Sequence, residues 1–202
     1  MTAKERREQL IAIGRETFAE RGMAGTSVEE IALRAGVSKP VVYEHFGGKE
    51  GLYAVVVDRE MAKLEQILEE AMAEDGWLER IEASVVALLT YVEQQPDGFR
   101  ILVRDSVPGD NRSYSTFLNT ATVQVSHYLG EGFAHRGFDP GLAVLYAQAI
   151  VGMVSQTAQW WLDEREPGKQ TVAAHIVNLC WNGLSHMQAA PKLNKFTDLK
   201  ED

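Results

Sequence analysis

The chain has 202 residues, of which 45% are apolar, and its 29 acidic residues outnumber 20 basic ones for a formal net charge of −9. This length suits one domain or two small ones with a real core, and a single cysteine excludes a disulfide framework. The sequence has neither an apolar run of about 18 residues nor a signal-peptide core, so we expect a cytoplasmic protein without a membrane partner.

Three helices are predicted at the start of the chain. The first covers residues 4–21, and its apolar face consists of Leu10, Ile11, Gly14 and Phe18. Ser27 caps a second helix, and a glutamate three residues later completes a capping box. Gly36 ends this helix at a position that favours positive φ. Ser38 caps a third helix that accepts Pro40 in its first turn, so the pair forms a helix-turn-helix.

The third helix carries contact residues instead of the usual charged surface residues. Val42 and Phe46 share one face and should pack on the other two helices. The opposite face and its flanks hold Lys39, Pro40, Val41, Tyr43, Glu44 and His45. In a helix-turn-helix, this second face lies in the major groove of DNA.

A resemblance to a known family enters at this point. The segment VSKPVVYEHFGGKEGLY at residues 37–53 strongly resembles the DNA-binding domain of the TetR family of bacterial transcriptional repressors. FAERG at residues 18–22 and the TSVEEIA run at residues 26–32 match as well. The resemblance covers about the first 55 residues. Net charge alone would not have indicated DNA, because residues 1–50 hold 8 basic and 8 acidic side chains.

The resemblance implies an all-α fold with nine helices and short loops. Residues 1–48 would form a three-helix DNA-binding domain, residues 49–190 a six-helix ligand-binding and dimerisation domain, and residues 191–202 a mobile tail. Apolar periodicity and breaks at Gly and Pro place the six later helices near residues 49–75, 77–94, 97–105, 113–136, 141–164 and 171–187.

Phosphate contacts are predicted around the helix-turn-helix. By resemblance, Tyr43, His45 and Lys49 match positions that hold DNA phosphates, and Thr26, Ser27 and Ser38 offer donors at helix starts. Lys49 also begins a helix, where free N–H groups and the helix dipole favour an anion. The alternatives are pure capping for Ser38 and ordinary surface positions for the others.

Base contacts are predicted on the exposed face of the third helix. Pro40 and Val41 suit the methyl group of thymine, and Lys39 could reach a guanine or a phosphate. Glu44 either accepts from a cytosine amino group or points into solvent, and the sequence does not decide between the two.

The last two long helices carry much apolar surface. In the family, such helices pair with their twins, which implies a homodimer. The candidate interface consists of Leu145, Ala149, Gly152, Met153, Gln156, Ile176, Leu179, Cys180, Gly183 and Leu184. Packing into the core of the same chain is the alternative for each of them.

The resemblance also implies a small-molecule site in the middle helices. The candidate lining residues are Trp77, Tyr91, Phe99, Arg104, Tyr114, Phe117, Gln124, Tyr128 and Trp160. They suit a largely apolar ligand held by few polar groups. An aromatic stripe is more often part of the core, which is the alternative for each of these residues. Arg104 could meet an acidic ligand or lie at the surface.

No catalytic, metal or cofactor motif has supporting spacing. His127 and His135 lie too far apart on one helix to hold one metal, as do His175 and His186. Together with this absence, the resemblance implies a ligand-responsive regulator, a repressor that binds a palindromic operator as a dimer and is released by a small, largely apolar molecule, and not an enzyme. The alternatives are a helical enzyme or small-molecule binding protein with an incidental helix-turn-helix, and a helical adaptor.

Overall fold

The computed structural model describes residues 1–104 and 113–192, and these residues form α-helices without a strand. The helices are α1 (Ala3–Gly25), α2 (Val28–Ala35), α3 (Lys39–Phe46), α4 (Lys49–Met72), α5 (Trp77–Gln94), α6 (Pro96–Arg104), α7 (Tyr114–His135), α8 (Ala143–Glu164) and α9 (Lys169–Ser185). The all-α prediction is confirmed. The helix predicted at residues 97–105 ends in residue 105, which lies outside the described residues. Most of the predicted tail also lies outside them.

The first helix is longer than predicted but is interrupted where the prediction ended it. Thr2 caps α1 in a capping box with Glu5, and Gly22 then leaves helical geometry with φ 71°. A last turn runs on to Gly25. A positive φ is strained for residues with a Cβ, so glycine at this break bends the chain towards α2.

The caps of α2 and α3 follow the sequence in part, since the Glu30 carboxylate pairs with Arg21 and Arg34 and does not complete the predicted capping box. Ser27 Oγ accepts the N–H of Glu30 at 3.2 Å, and Gly36 and Gly47 end the two helices in the left-handed region. Ser38 occupies the N-cap of α3, but its side chain makes no capping hydrogen bond. Its hydroxyl is therefore left for another partner.

The start of α4 is packed into α1 and α3. A Cβ on Gly14 would lie 2.7 Å from the Leu52 side chain, and the rings of Phe18 and Tyr53 meet edge to face at 5.0 Å. A Cβ on Gly51 would lie 1.9 Å from the Phe46 carbonyl oxygen. The helix-turn-helix is therefore held by the first turns of a helix that continues into the larger part of the molecule.

A buried carboxylate joins the helix-turn-helix region to the larger part of the molecule. Glu60 on α4 is 1% exposed and accepts hydrogen bonds from Arg15 Nε at 3.1 Å, Lys63 Nζ at 2.8 Å and the Tyr91 hydroxyl at 2.8 Å. Arg15 also donates to Gln95 Oε1 at 2.9 Å. These contacts tie α1, α4 and α5 together, and we call this set the Glu60 junction.

The Glu60 junction is tight on its α6 side as well. A Cβ on Gly98 would lie 1.9 Å from Glu60 Oε2, so only glycine fits there without displacing the carboxylate. Burial opposes ionisation of Glu60, but the hydrogen bonds from Lys63 and Tyr91 and the charge of Arg15 outweigh it. The pKa of Glu60 consequently lies below its ordinary value of 4.5.

The remaining helices leave one apolar face uncovered. One face of α8 packs on α7, α5 and α6, while α9 packs on α5. Residues 140–164 are long and apolar enough to cross a membrane by length and composition, and only 22% of their most apolar window is buried. Packing among the described residues of one chain therefore does not account for the outer surface of α8.

We expect Glu60→Gln to lower the free energy of unfolding by about 1–3 kcal/mol near pH 7, because a neutral amide loses its charged partners. Since the folded-state pKa of Glu60 is depressed, its ionisation stabilises the fold above about pH 4.5 and this contribution is lost as the pH falls further. Urea titrations across this pH range should show a shallower acid loss in the variant. Glu16→Gln, at an exposed position on α1, is the control; equal pH profiles for Glu60→Gln and the unaltered chain would contradict the assignment.

Candidate DNA interface and ligand cavity

One side of α3 is buried against the other helices, and the other side is exposed as a possible contact surface. Val42 is fully buried, and Phe46 is half-buried beneath the Arg7 guanidinium, 4.6 Å from its ring centroid. Pro40, Tyr43 and Glu44 are exposed. The structure thus brings these three predicted contact residues to the surface of α3.

The other predicted contacts on α3 are less accessible. Val41 and His45 are half-buried, and Val41 packs partly against the core. Lys39 is exposed but forms an ion pair with Glu29 of α2. A DNA phosphate or guanine would therefore have to compete with a carboxylate for Lys39.

Tyr43 lies beside the start of α4. Its side chain is 51% exposed, and a Cβ on Gly48 would be 3.5 Å from its ring. Gly48 caps α4 without a side chain, and the first helical hydrogen bond is donated by Leu52 to the Gly48 carbonyl at 3.2 Å. The N–H groups of residues 49–51 therefore carry no capping side chain beside an exposed phenol, an arrangement suited to a phosphate.

Two predicted phosphate ligands make hydrogen bonds within the fold. The ammonium of Lys49 donates to the carbonyl oxygens of Met23 at 3.1 Å and Thr26 at 2.9 Å, so it fastens the end of α1 to the start of α4. The Thr26 hydroxyl is buried and donates to the Gly22 carbonyl at 2.8 Å. Both side chains are engaged inside the fold, and only the backbone N–H of Lys49 keeps its place at the helix start. Ser27 remains exposed while it caps α2.

A cavity of about 390 Å³ lies between α4, α5, α7, α8 and the end of α9. Five predicted ligand contacts line it, namely Trp77, Tyr114, Phe117, Gln124 and Tyr128. The rings of Trp77 and Tyr128 meet edge to face at 6.2 Å, and those of Tyr114 and Phe117 stack at 5.9 Å. Its size falls in the range of small-molecule sites.

Four predicted ligand contacts lie elsewhere. Tyr91 and Phe99 are buried in the packed core, where Tyr91 serves the Glu60 junction and Phe99 meets Tyr114 edge to face. Arg104 is exposed and donates to the Glu20 carbonyl of α1 at 3.5 Å. Trp160 is 47% exposed on α8 and does not line the cavity.

The sequence reasoning missed the wall that α4 contributes. Glu65, Leu68, Glu69 and Met72 all line the cavity, and their spacing of three and four residues puts them on one helical face. The sequence signal that could have identified this wall is the presence of Glu65 and Glu69 on an otherwise apolar face of α4. Arg80 and Ser84 of α5 complete the polar lining on this side.

Tyr114 carries an unsatisfied polar atom at the cavity. It is 8% exposed, and its hydroxyl has no hydrogen-bond partner of normal geometry in the described chain. Burial raises the pKa of Tyr114, and the nearby Gln159 amide offsets this only in part. A buried hydroxyl without a partner costs free energy that a ligand group could recover.

The outer faces of α8 and α9 divide the predicted interface residues. Leu145 and Leu179 are 64% and 61% exposed, and a Cβ on Gly152 or Gly183 would meet nothing within 4 Å. Ala149 and Gln156 are exposed, and Met153 is half-buried.

Three residues predicted at the interface are wholly or partly buried, although Cys180 and Leu184 also line the shallow groove between α8 and α9. Ile176 and Cys180 are buried in the core, where burial raises the pKa of the Cys180 thiol, and Leu184 lines the cavity. The apolar spacing of α9 therefore combined core residues with residues of the outer groove. Val144 and Trp181, which the prediction omitted, are also exposed.

Comparisons with known proteins agree with this architecture. The profile described as "Bacterial regulatory proteins, tetR family" matches residues 10–56, and the "Tetracyclin repressor-like, C-terminal domain" profile matches residues 64–196. The HTH-type transcriptional activator FasR of Mycolicibacterium smegmatis is 29% identical over 186 residues, which cover 91% of this chain and 84% of FasR.

Solved structures share the fold. A TetR-like transcriptional regulator from Rhodococcus sp. RHA1 has a TM-score of 0.75 at 24% identity and covers 90% of this chain and 97% of its own. AibR, solved in complex with isovaleryl coenzyme A and operator DNA, has a TM-score of 0.70 at 20% identity, with 86% and 97% covered.

We expect Lys49→Met to lower the free energy of unfolding by about 1–3 kcal/mol, because two carbonyl groups lose a charged donor. Denaturant unfolding measures this loss. Lys39→Met, which removes an exposed cation from the same region, is the matched control and should change stability little. A Lys49→Met protein of unchanged stability but weakened DNA binding would restore the direct phosphate role.

Proposed function

Since the chain belongs to the TetR family of bacterial regulatory proteins, we propose that it acts as a homodimer on a palindromic operator and is released by a small, largely apolar effector. Members of this family are ligand-responsive, DNA-binding transcriptional regulators and not enzymes. A cytoplasmic location, with access to the chromosome, is part of the proposal.

The observation that carries the proposal is the surface made by α3 and the start of α4. Tyr43 and the N–H groups of residues 49–51 offer neutral donors to phosphates, while Pro40 and Glu44 are exposed for base edges. Recognition here depends on donors and shape, since residues 1–50 are electrically neutral overall.

Dimerisation is supported by the uncovered face of α8 and α9. A shallow groove there is lined by Ala149, Met153, Leu179 and Gly183, with small residues that allow two helices to approach closely. One helix-turn-helix buries little area on DNA, whereas two related by a two-fold axis read half-sites one turn apart. A second copy of this chain is the occupant that meets both needs.

The cavity supports the effector role because α4 links it to the DNA-binding surface. A ligand that binds better to a dimer whose α3 helices are misplaced for DNA shifts the equilibrium towards that state. We propose repression as the sign of control; activation, the activity in FasR's name, is the alternative. A reporter gene behind the recovered operator separates the two.

The test of the proposal is a selection of bound duplexes from a random DNA pool at moderate salt. Recovery of a palindrome supports a dimeric DNA reader and supplies the operator for release assays. If no sequence is enriched, even after the protein is unfolded and refolded to remove a co-purified effector, the proposal fails.

On the recovered operator, we expect Tyr43→Phe to weaken binding about three- to tenfold, and equally for all duplexes, because a phosphate loses one hydrogen bond. The slope of affinity against salt should not change, since a phenol releases no counterion. Val41→Ala should instead alter the ranking of half-sites. Fluorescence anisotropy with operator and shuffled duplexes measures both effects; a sequence-dependent loss in Tyr43→Phe would contradict the phosphate assignment.

We expect Leu145→Glu to dissociate the dimer, because it places a charge in an apolar interface. Sedimentation at about micromolar concentration should show a monomer for this variant and a dimer for the unaltered chain. Val123→Glu is the matched control, since Val123 is 69% exposed on α7 and lies outside the proposed interface. A 22.5 kDa species for the unaltered chain would refute dimerisation.

A further inference from the structure

Two exposed carboxylates line the candidate ligand cavity. Glu65 and Glu69 are exposed residues one turn apart on α4, and both line the cavity. No ion pair or hydrogen bond engages either carboxylate among the described residues, although Glu60 and Glu70 on the same helix have side-chain partners. Their charges are therefore available to whatever enters.

The positive charge in the described part of the lining is already committed. Arg80 donates through Nε to the backbone carbonyl of Glu74, and its guanidinium lies 4.5 Å from the centroid of the Tyr128 ring. These contacts with Glu74 and Tyr128 therefore hold Arg80 against the side of the cavity. Among the described lining residues, two carboxylates face one cation, so the cavity carries a net negative charge.

The walls add a second attraction for positive charge. Trp77, Phe117 and Tyr128 line the cavity, and Arg80 already covers one face of Tyr128. Aromatic ring faces attract cations, most strongly where water is excluded, so Trp77 and Phe117 are the rings available to a ligand. An aromatic enclosure with carboxylates at its edge is the chemistry that recognises ammonium groups.

The Tyr114 hydroxyl is a second polar feature at the cavity. Tyr114 lines the cavity from a position more than nine-tenths buried, and among the described residues its hydroxyl makes no hydrogen bond of normal geometry, although the Gln159 amide lies nearby. A simple packing defect between helices would be lined by apolar atoms alone.

We propose that the cavity binds an apolar cation, a molecule with a hydrocarbon or aromatic body and a positively charged nitrogen placed near Glu65 and Glu69. The same carboxylates repel fatty acids and acyl coenzyme A thioesters, which bring negative charge to the opening. This inference rests on the proposed function, because it names the chemical class of the effector at that site.

The experiment compares four ligands with the same ten-carbon chain: decyltrimethylammonium, decanol, decanoate and decanoyl coenzyme A. Isothermal titration calorimetry on the full-length protein, below micelle-forming concentrations, gives each dissociation constant. At about 50 mM salt the cation should bind about tenfold more tightly than decanoate, with decanol between them. The difference should shrink at about 200 mM salt, since exposed charges are screened.

Matched variants assign the preference to its residues. Glu65→Gln combined with Glu69→Gln should bring the affinities for the cation and for decanoate to within about twofold and leave decanol unchanged. Glu70→Gln combined with Glu82→Gln removes the same charge from exposed positions outside the cavity lining and should keep the preference.

Each outcome decides a different claim. Tighter binding of decanoate or decanoyl coenzyme A than of the cation overturns the charge inference and leaves the effector site standing. An equal loss of preference in both double variants also overturns it, because the effect would then belong to net charge. If none of the four binds by calorimetry or shifts the thermal unfolding temperature, both the inference and the proposed effector cavity fall.

Discussion

The hydrogen bonds to the Glu60 carboxylate fix the geometry on which the rest of the molecule depends. A carboxylate buried to this degree is strongly unfavourable unless donors surround it, so Arg15, Lys63 and Tyr91 must stay in place together. These donors come from α1, α4 and α5, and Gly98 of α6 closes the remaining side. The orientation of α1, and with it the helix-turn-helix, is therefore set by a polar contact more directional than apolar packing.

The fourth helix connects the two functional regions through its length. Its first turn offers N–H groups beside Tyr43, its fourth holds the Glu60 junction, and the turns from Glu65 to Met72 form a wall of the cavity. A ligand that tilts this wall acts on the same rigid helix that positions the DNA surface. Glu65 lies little more than one turn beyond Glu60, so the site of ligand discrimination and the site of helix anchoring are close neighbours.

Local signals in the sequence were sufficient for the helices and their caps but not for the partners of individual side chains. Ser27 and Gly36 act through their own backbone neighbours, which is why their roles could be predicted. Lys49 could not be assigned this way, because the carbonyl groups it binds lie 23 and 26 residues earlier in the chain.

The same reasoning explains the aromatic residues. Whether Phe99 or Phe117 meets a void depends on how closely the opposing helices approach, and apolar periodicity carries no information on that distance.

The packing of α1 on α4 and α6 has a practical consequence for recombination between relatives. A hybrid joined at residue 48 would separate Gly14 and Phe18 from the Leu52 and Tyr53 shaped to receive them. A DNA-binding domain can therefore be exchanged only when the receiving α4 and α6 carry the surface that matches its α1. DNA specificity and the helices that support it are consequently inherited together.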